Sequence, residues 1–243
     1  MGYILIIGAK SDIAMAVARK YAENGFNLYL AARKSSKLNA FAKDLIIRTS
    51  RDVKCIELDI LDYSSHKRFY DNLRMKPVGV IFLVGYLGIQ VDAQSNFEEA
   101  HKIIDTNFTG AVSLLNIVAD DFEKQKNGFI VGVSSVAGDR GRGSNYLYGS
   151  SKAALTNYLS GLRNRLHVSN INVLTVKPGF VNTRMTKEMN LPNKLTSYPE
   201  DIAEDIYIAQ QRKKNVLYTK WVWKWIMTVI KIFPEWLFKR MSL

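Results

Sequence analysis

The chain has 243 residues, 47% of them hydrophobic and 23% charged, which suits one large domain with a substantial core and argues against disorder. Lys and Arg outnumber Asp and Glu by 34 to 22, a net charge of +12 that can draw nucleic acid, an anionic membrane or a phosphorylated ligand. The absence of zinc-finger spacing, an aromatic RNA-binding signature or a long Lys/Arg run sets nucleic acid aside, and a single cysteine, Cys55, excludes an intrachain disulfide framework and points to a reducing, cytoplasmic compartment.

The predicted elements alternate from the start. "YILIIG" (Tyr3 to Gly8) is a continuous apolar run, the pattern of a strand buried on both faces. In "SDIAMAVARKYAENG" Ile13, Val17 and Tyr21 recur every four residues, a helical period that Gly25 suits as an end. "NLYLAA" (Asn27 to Ala32) reads as a second strand, Lys37 to Arg48 as a helix, "VKCIEL" as a third strand and Ser64 to Arg74 as a helix. "VGVIFLVG" (Val78 to Gly85) is a fourth strand, followed by a long helical region to about Lys126. "GFIVGVSS" gives a fifth strand, Asn145 to about Val168 a helix, and "INVLTVKPG" a sixth strand. "SYPEDIAEDIYIAQQRKK" reads as a helix capped by Ser197 with Pro199 in its first turn, and "NVLY" as a short last strand. Short links and right-handed crossovers then predict an α/β, Rossmann-type doubly wound sheet, mostly parallel, of about seven strands with helices on both faces. The predicted organisation is one domain over residues 1–219 and a tail over 220–243.

The opening "MGYILIIGAK" lacks a basic n-region and a cleavage site, so a secretion signal is not expected. No uninterrupted apolar run reaches the roughly 20 residues of a spanning helix. His66, His101 and His167 stand apart from one another and from Cys55, so no metal site is expected.

In such a sheet a ligand sits at the C-terminal strand ends, where strand order reverses. The first turn there is "GAKSDIA". A dinucleotide turn uses glycines for close approach to pyrophosphate and a helix N-terminus to face its charge. Here only Gly8 is a glycine; Asp12 and Ala14 stand at the second and third glycine positions. Asp12 suits a helix N-terminus only if its carboxylate points away from the phosphates. After the second strand the chain reads "AARKSSK", with Arg33, Lys34 and Lys37 where an NAD site carries an acid for the ribose 2′-hydroxyl. Those cations favour a 2′-phosphate, and hence NADP(H) over NAD(H), against the plainer reading of a solvated basic loop.

With this frame in place, the chain resembles the short-chain dehydrogenase/reductase family from about Tyr3 to Tyr218. The residues that carry the resemblance are "GAKSDIA", Asp59 in "LDILD", Gly85 in "FLVG", Asn107 in "NFTG", Ser135 in "VSSVAG", Tyr148 and Lys152 in "YGSSK", and Pro178, Gly179 and Thr183 in "KPGFVNT". The family usually has Asn-Asn-Ala-Gly where this chain has "FLVG". The resemblance implies a catalytic set of Asn107, Ser135, Tyr148 and Lys152. It implies a cofactor site drawn from Gly8, Lys10, Ser11, Asp12, Ile13, Arg33, Asp59, Ile60, Gly85, Tyr148, Lys152, Pro178, Gly179, Val181 and Thr183, with Asp59 beside the adenine. It also implies a small-molecule carbonyl substrate and a homo-oligomer, dimer or tetramer. Some similarity, in the "G-x-K-S-D-I-A" turn and the basic, Trp-rich C-terminus, reaches the keto-reductase branch of decaprenylphosphoryl-ribose epimerisation, which would make the substrate a lipid-linked keto sugar.

The chemistry gives these spacings a reason. Tyr148 and Lys152 fall four apart on one helix and face the same side. A free phenol ionises near 10, and an adjacent ammonium should lower that value. Tyr148 is thus the expected general acid in reduction and base in oxidation, tuned by Lys152, which by resemblance also holds the nicotinamide ribose. Ser135 is the expected donor to the carbonyl oxygen, with Ser134 as its rival; the family's thirteen-residue spacing to the tyrosine favours Ser135. Asn107 resembles the asparagine that holds a helix irregularity and a water of the proton relay. The segment "RMTKEMNLPNKLTSY" (Arg184 to Tyr198) is the expected substrate lid, where Met185, Met189 and Leu191 either meet an apolar substrate portion or simply pack.

The tail reads "KWVWKWIMTVIKIFPEWLFKRMSL". Lys220, Lys224, Thr228 and Lys231 form a narrow polar stripe on an otherwise apolar helix that Pro234 ends or bends. Two expectations stay open: an interfacial helix on an anionic membrane, placing the protein peripherally on its inner face, or packing on the domain or a partner subunit. A dinucleotide-binding regulator without catalysis and a membrane-surface interaction protein on the same scaffold remain as alternative functions.

Overall fold

Strand β1, Tyr3–Ile7, is buried at every residue. Ile4 and Ile6 enter one hydrophobic core while Tyr3, Leu5 and Ile7 enter another. An all-apolar strand is stable only where both faces are covered, and the rest of the fold supplies the covers.

The structure, a computed structural model, describes residues 2–187 and 190–241. After β1 come α1 (Asp12–Glu23), β2 (Asn27–Ala32), α2 (Asn39–Thr49), β3 (Val53–Glu57), α3 (His66–Asp71) and β4 (Gly79–Phe82). Then follow α4 (Gln90–Ser95), α5 (Phe97–Ile104), α6 (Gly110–Gln125), β5 (Phe129–Val133), α7 (Tyr146–His167) and β6 (Asn172–Lys177). The remaining elements are β7 (Phe180–Val181), β8 (Thr196–Ser197), α8 (Pro199–Gln211), β9 (Val216–Tyr218), α9 (Val222–Ile232) and α10 (Glu235–Phe238). The main sheet has seven strands in the order β3-β2-β1-β4-β5-β6-β9, and every pairing in it is parallel. Strand order reverses between β1 and β4, which opens the crevice at their C-terminal ends. Residues of α1, α2 and α8 cover one face, and residues of α3, α6 and α7 the other.

Three expectations change. The helical region after Gly85 is not continuous: it starts at Gln90, breaks at Asn96, and passes through a π turn at Asp105–Thr109 before α6. The cap of α8 is Tyr198, whose backbone N–H donates to the Asp201 carboxylate at 3.4 Å, while Ser197 lies buried in β8. Lys220 is not on the tail helix. It precedes α9 with φ of 60°, and its ammonium donates to Thr196 O at 2.7 Å.

The tail packs on the domain through one side only. Trp223 and Met227 are buried against Val136, Phe180, Leu195 and Tyr218. Burying Met227 and Phe238 stabilises the docked tail by about 1.5–3 kcal/mol each. Arg140, five residues past Ser135, fastens the far end. It donates to Ile230 O at 3.2 Å, Lys231 O at 3.2 Å and Phe233 O at 2.7 Å, satisfying carbonyls that the end of α9 leaves open. It also pairs with Glu235 at 2.7 Å and lies 4.1 Å from the Phe238 ring centroid. Among the described residues, no helix is long and apolar enough to cross a membrane.

Candidate active site

A cleft of about 660 Å³ opens at the C-terminal ends of β1, β4, β5 and β6, on the reversal point of the sheet. Its first wall is the β1–α1 turn. Gly8 has φ of 85°, and a Cβ there would lie 2.9 Å from Val84 N, so the turn accepts only glycine. Ser11 caps α1, its Oγ accepting from Ala14 N at 3.2 Å. Lys10, Ser11, Asp12 and Ile13 all line the cleft. The Asp12 carboxylate accepts from Arg184 N and Nε, each at 2.8 Å, so the lid segment absorbs its charge.

Of the three cations after β2, Arg33 lines the cleft; Lys34 and Lys37 do not. An acid does stand close by, on β3 and not on β2. The Glu57 carboxylate accepts from Lys34 N at 2.6 Å and Ser35 N at 2.8 Å, with Lys34 in the left-handed conformation at φ of 52°. These backbone donors hold Glu57 below the usual carboxylate range. Ile60 lines the cleft, but Asp59 does not. Its carboxylate turns back to accept from Leu61 N at 3.1 Å, and it lines a neighbouring groove that shares Arg33 and Leu58 with the cleft.

The second wall is built by β4, β5 and α7. Ser134 turns under the cleft floor: its hydroxyl donates to Lys152 O at 2.9 Å and lies 2.7 Å from Thr156 Oγ1. Ser135, extended at the end of β5, accepts from Ala137 N at 3.1 Å and is placed to hydrogen-bond the Tyr148 phenol. Lys152 Nζ lies 5.8 Å from the Tyr148 ring centroid and donates to Val84 O at 3.3 Å and Val133 O at 3.2 Å. Gly85 faces this set; a Cβ on it would lie 3.6 Å from Lys152 Nζ and 3.8 Å from Asn107 Oδ1.

The electrostatics differ from the sequence expectation. Burial pushes Tyr148 up to about 12, and the hydrogen bond from Ser135 opposes this only in part. Burial also brings Lys152 down to about 8. Desolvation outweighs the Ser135 hydrogen bond, and Lys152 directs its donors at two carbonyls and not at the phenol.

Asn107 lies wholly buried in the π turn, behind the cleft wall. Its side chain donates to Tyr86 O at 2.8 Å and accepts from Tyr86 N at 2.9 Å, locking the residue after Gly85 by both backbone groups. Tyr86 in turn donates to Glu99 Oε1 at 2.6 Å and stacks under Lys102 at 4.5 Å. Tyr86 and Lys102 line the cleft although no motif singled them out, and Arg184, the first residue of the expected lid, lines it as well. Only the position of Tyr86, one past "FLVG", could have signalled it.

Pro178, Gly179, Val181 and Thr183 form the third wall. Gly179 is packed flat under the Trp223 indole, which a Cβ would overlap. Trp223 Nε1 donates to Leu195 O at 3.0 Å, tying the tail to the lid segment. Within that segment Met185 reaches over Gly85, Leu191 is half-buried, and Met189 lies outside the described residues.

The family model for short chain dehydrogenase matches residues 2–194. The chain belongs to the short-chain dehydrogenase family. This short-chain dehydrogenase is 33% identical to an uncharacterized oxidoreductase of Mycobacterium tuberculosis, over 98% of this chain and 96% of the relative. It is 30% identical to the NADP-dependent 3-hydroxy acid dehydrogenase of Schizosaccharomyces pombe, over 88% of each. A short-chain dehydrogenase of Burkholderia cenocepacia, solved in complex with NADP, superposes with a TM-score of 0.84 at 18% identity, covering 100% of this chain and 98% of that one. At that identity the likeness concerns the fold. Family and relatives together make the short-chain dehydrogenase an oxidoreductase.

Proposed function

We propose that the protein interconverts a ketone and a secondary alcohol with NADP(H) as its cofactor. The observation that carries the reading is the convergence of Ser135, Tyr148 and Lys152 on one cleft floor beside Gly85. The residues fit a dinucleotide. Gly8 leaves a cradle that a Cβ would fill, Ser11 leaves the α1 N-terminus facing the cleft, and Arg33 offers a cation to a 2′-phosphate. Pro178, Gly179 and Thr183 would hold the nicotinamide side. When bound, the nicotinamide supplies or accepts the hydride.

The chain's own residues do the rest. Ser135 donates to the carbonyl oxygen as negative charge grows there. Tyr148, whose phenol stays protonated at neutral pH, delivers the proton to that oxygen and recovers it in oxidation. Lys152, charged below about 8, stabilises the phenolate left behind and holds the ribose. Asn107 keeps the Tyr86–Gly85 backbone in place through its paired hydrogen bonds. A non-catalytic regulator would have no use for a half-buried donor and phenol so arranged. The test is turnover of NADPH and of NADH with a panel of ketones. No turnover with either cofactor, or a preference for NADH, would count against the reading.

The tail favours a lipid-linked substrate, a keto sugar on a polyprenyl phosphate being one such class. Its outer face exposes Trp221, Trp225, Val229, Ile232 and Trp236, interspersed with exposed Lys224, Lys231, Lys239 and Arg240. Apolar rings and cations together match an anionic bilayer surface. The inner face holds the lid through Trp223. In this reading residues 1–219 carry out the chemistry, as a homo-oligomer, and 220–243 set where it occurs. Co-sedimentation with anionic liposomes should pellet the wild type and spare Trp225→Glu; equal behaviour of the two would remove the membrane from the proposal.

A further inference from the structure

The acid in the phosphate-facing turn needs an explanation. Asp12 is the first residue of α1, in the position where a dinucleotide turn carries its second glycine. A carboxylate there would repel a pyrophosphate if it faced one. It faces Arg184 instead. Both carboxylate oxygens are used: Oδ2 accepts from Arg184 N and Oδ1 from Nε, each at 2.8 Å, while Arg184 Nη2 donates to Lys10 O. The two residues are 172 positions apart in sequence and stand on different walls of the cleft, α1 on one side and the lid segment after β7 on the other. The contact therefore joins two walls of the cleft at the N-terminus of α1, the end that the dinucleotide reading gives to phosphate.

The lid segment is tied at its far end by other means. Leu195 O is held by Trp223 Nε1 at 3.0 Å and Thr196 O by Lys220 Nζ at 2.7 Å, and Ser197 O accepts from Asn182 N at 3.0 Å. Its near end begins in a tight turn in which Thr186 N donates to Thr183 O at 3.1 Å. From there the link to the opposite wall is Arg184. One end is thus fixed by buried packing on the tail and the other by an ion pair whose arginine is 69% exposed. An exposed pair is the weaker and more readily broken of the two, although Asp12 is held at two points, by the main-chain N–H of Arg184 and by its Nε.

We propose that Asp12 and Arg184 form a latch that closes the lid across the phosphate end of the cofactor cleft and sets how fast the cofactor leaves. Asp12 and Arg184 are positioning residues in this account, acting through the lid and not on the reacting atoms. The proposal rests on the dinucleotide reading of the cleft. It also gives the acid a purpose at a glycine position: a glycine would admit phosphate as well but could not hold the arginine.

The test is NADPH release, followed by stopped-flow displacement of the bound nucleotide, in the wild type, Asp12→Asn, Arg184→Gln and the double variant. A latch predicts that each single change speeds release by about fivefold, the scale of one exposed ion pair, and that the double change adds nothing further. Arg184→Lys, which keeps the charge but cannot reach both Asp12 and Lys10 O as the guanidinium does, should fall between. Slower release in Asp12→Asn with faster release in Arg184→Gln would overturn the latch, because Arg184 would then be a phosphate ligand that Asp12 restrains. Multiplying effects in the double variant would overturn it too. Hydrogen exchange of the nucleotide-free protein over residues 185–187 and 190–195 gives a second readout: both single variants should exchange faster there, and unchanged exchange refutes the latch. Failure of the wild type to bind NADPH would fall on the functional reading, with the exchange measurement still deciding the latch.

Discussion

The two long walls of the cleft are held by different forces. On the α7 wall, Ser135, Tyr148 and Lys152 sit among strand ends and helix backbone; Lys152 is 2% exposed and both its hydrogen bonds go to main-chain carbonyls. On the α1 wall, Asp12 and Arg33 are polar and partly or largely exposed, and Asp12 is held by an ion pair to Arg184 of the lid segment. Buried polar groups on backbone partners have no alternative arrangement without loss of those bonds. Exposed charges are screened by salt and adjust to what approaches them. The α7 wall is accordingly suited to chemistry that tolerates no change, and the α1 wall to binding strength that can be tuned.

Substitutions can break this contrast, the strongest first. Tyr148→Phe removes the proton donor and should lower reduction by about 10²–10⁴-fold while NADPH still binds; activity near wild type would mean that the buried wall is not where the chemistry occurs. Ser135→Ala should cost roughly 10²-fold in kcat, from about 3 kcal/mol of lost oxyanion stabilisation, with little change in cofactor affinity. Ser134→Ala, read alongside it, should leave kcat much closer to wild type, since that hydroxyl is occupied by α7.

A third test uses pH. Lys152 is lowered to about 8, so it is charged below that pH and neutral above it. Tyr148, raised to about 12, remains protonated across the same range. Reduction needs both groups protonated, so its kcat/KM should be level on the acid side of about 8 and decline above it. A flat profile from 7 to 10 would disconnect Lys152 from the reaction. The smallest effect belongs to the exposed wall: Arg33→Asp should shift the NADPH-to-NADH ratio of kcat/KM toward NADH by roughly tenfold or more, the loss of one charge-assisted contact, with kcat for NADH scarcely altered. A large fall in kcat would show that this wall, too, supports chemistry.

Much of the sheet could be read from the chain because buried parallel strands must be apolar throughout, as "YILIIG" and "VGVIFLVG" are. The candidate trio was legible for a related reason: Tyr148 and Lys152 are neighbours on one helix, and Ser135 lies just past the strand that precedes it. What escaped was whatever depends on residues distant in sequence. Glu57 meets the loop after β2 across 22 and 23 positions, and Arg184 meets Asp12 across 172; no periodicity encodes such contacts. Nor does composition say that a phenol beside a lysine will be raised, since that depends on how much water the finished cleft excludes. The tail was half legible. Its apolar pattern announced a face in need of cover, but not that Trp223 would be covered by Gly179 while Trp225 stayed outside.

That division of the tryptophans makes the protein its own optical reporter. There are four tryptophans in the chain. Trp221, Trp225 and Trp236 are 74%, 62% and 61% exposed, whereas Trp223 is 4% exposed and lies against the cleft wall at Gly179. A water-borne quencher such as iodide should extinguish the emission of the first three and leave a blue-shifted residue from the fourth. That protected emission overlaps the absorption of a reduced nicotinamide, so NADPH in the cleft should dim it by energy transfer, while liposomes should restore the quenched component alone. One cuvette could then follow the cleft and the outer face of the tail separately, without a label.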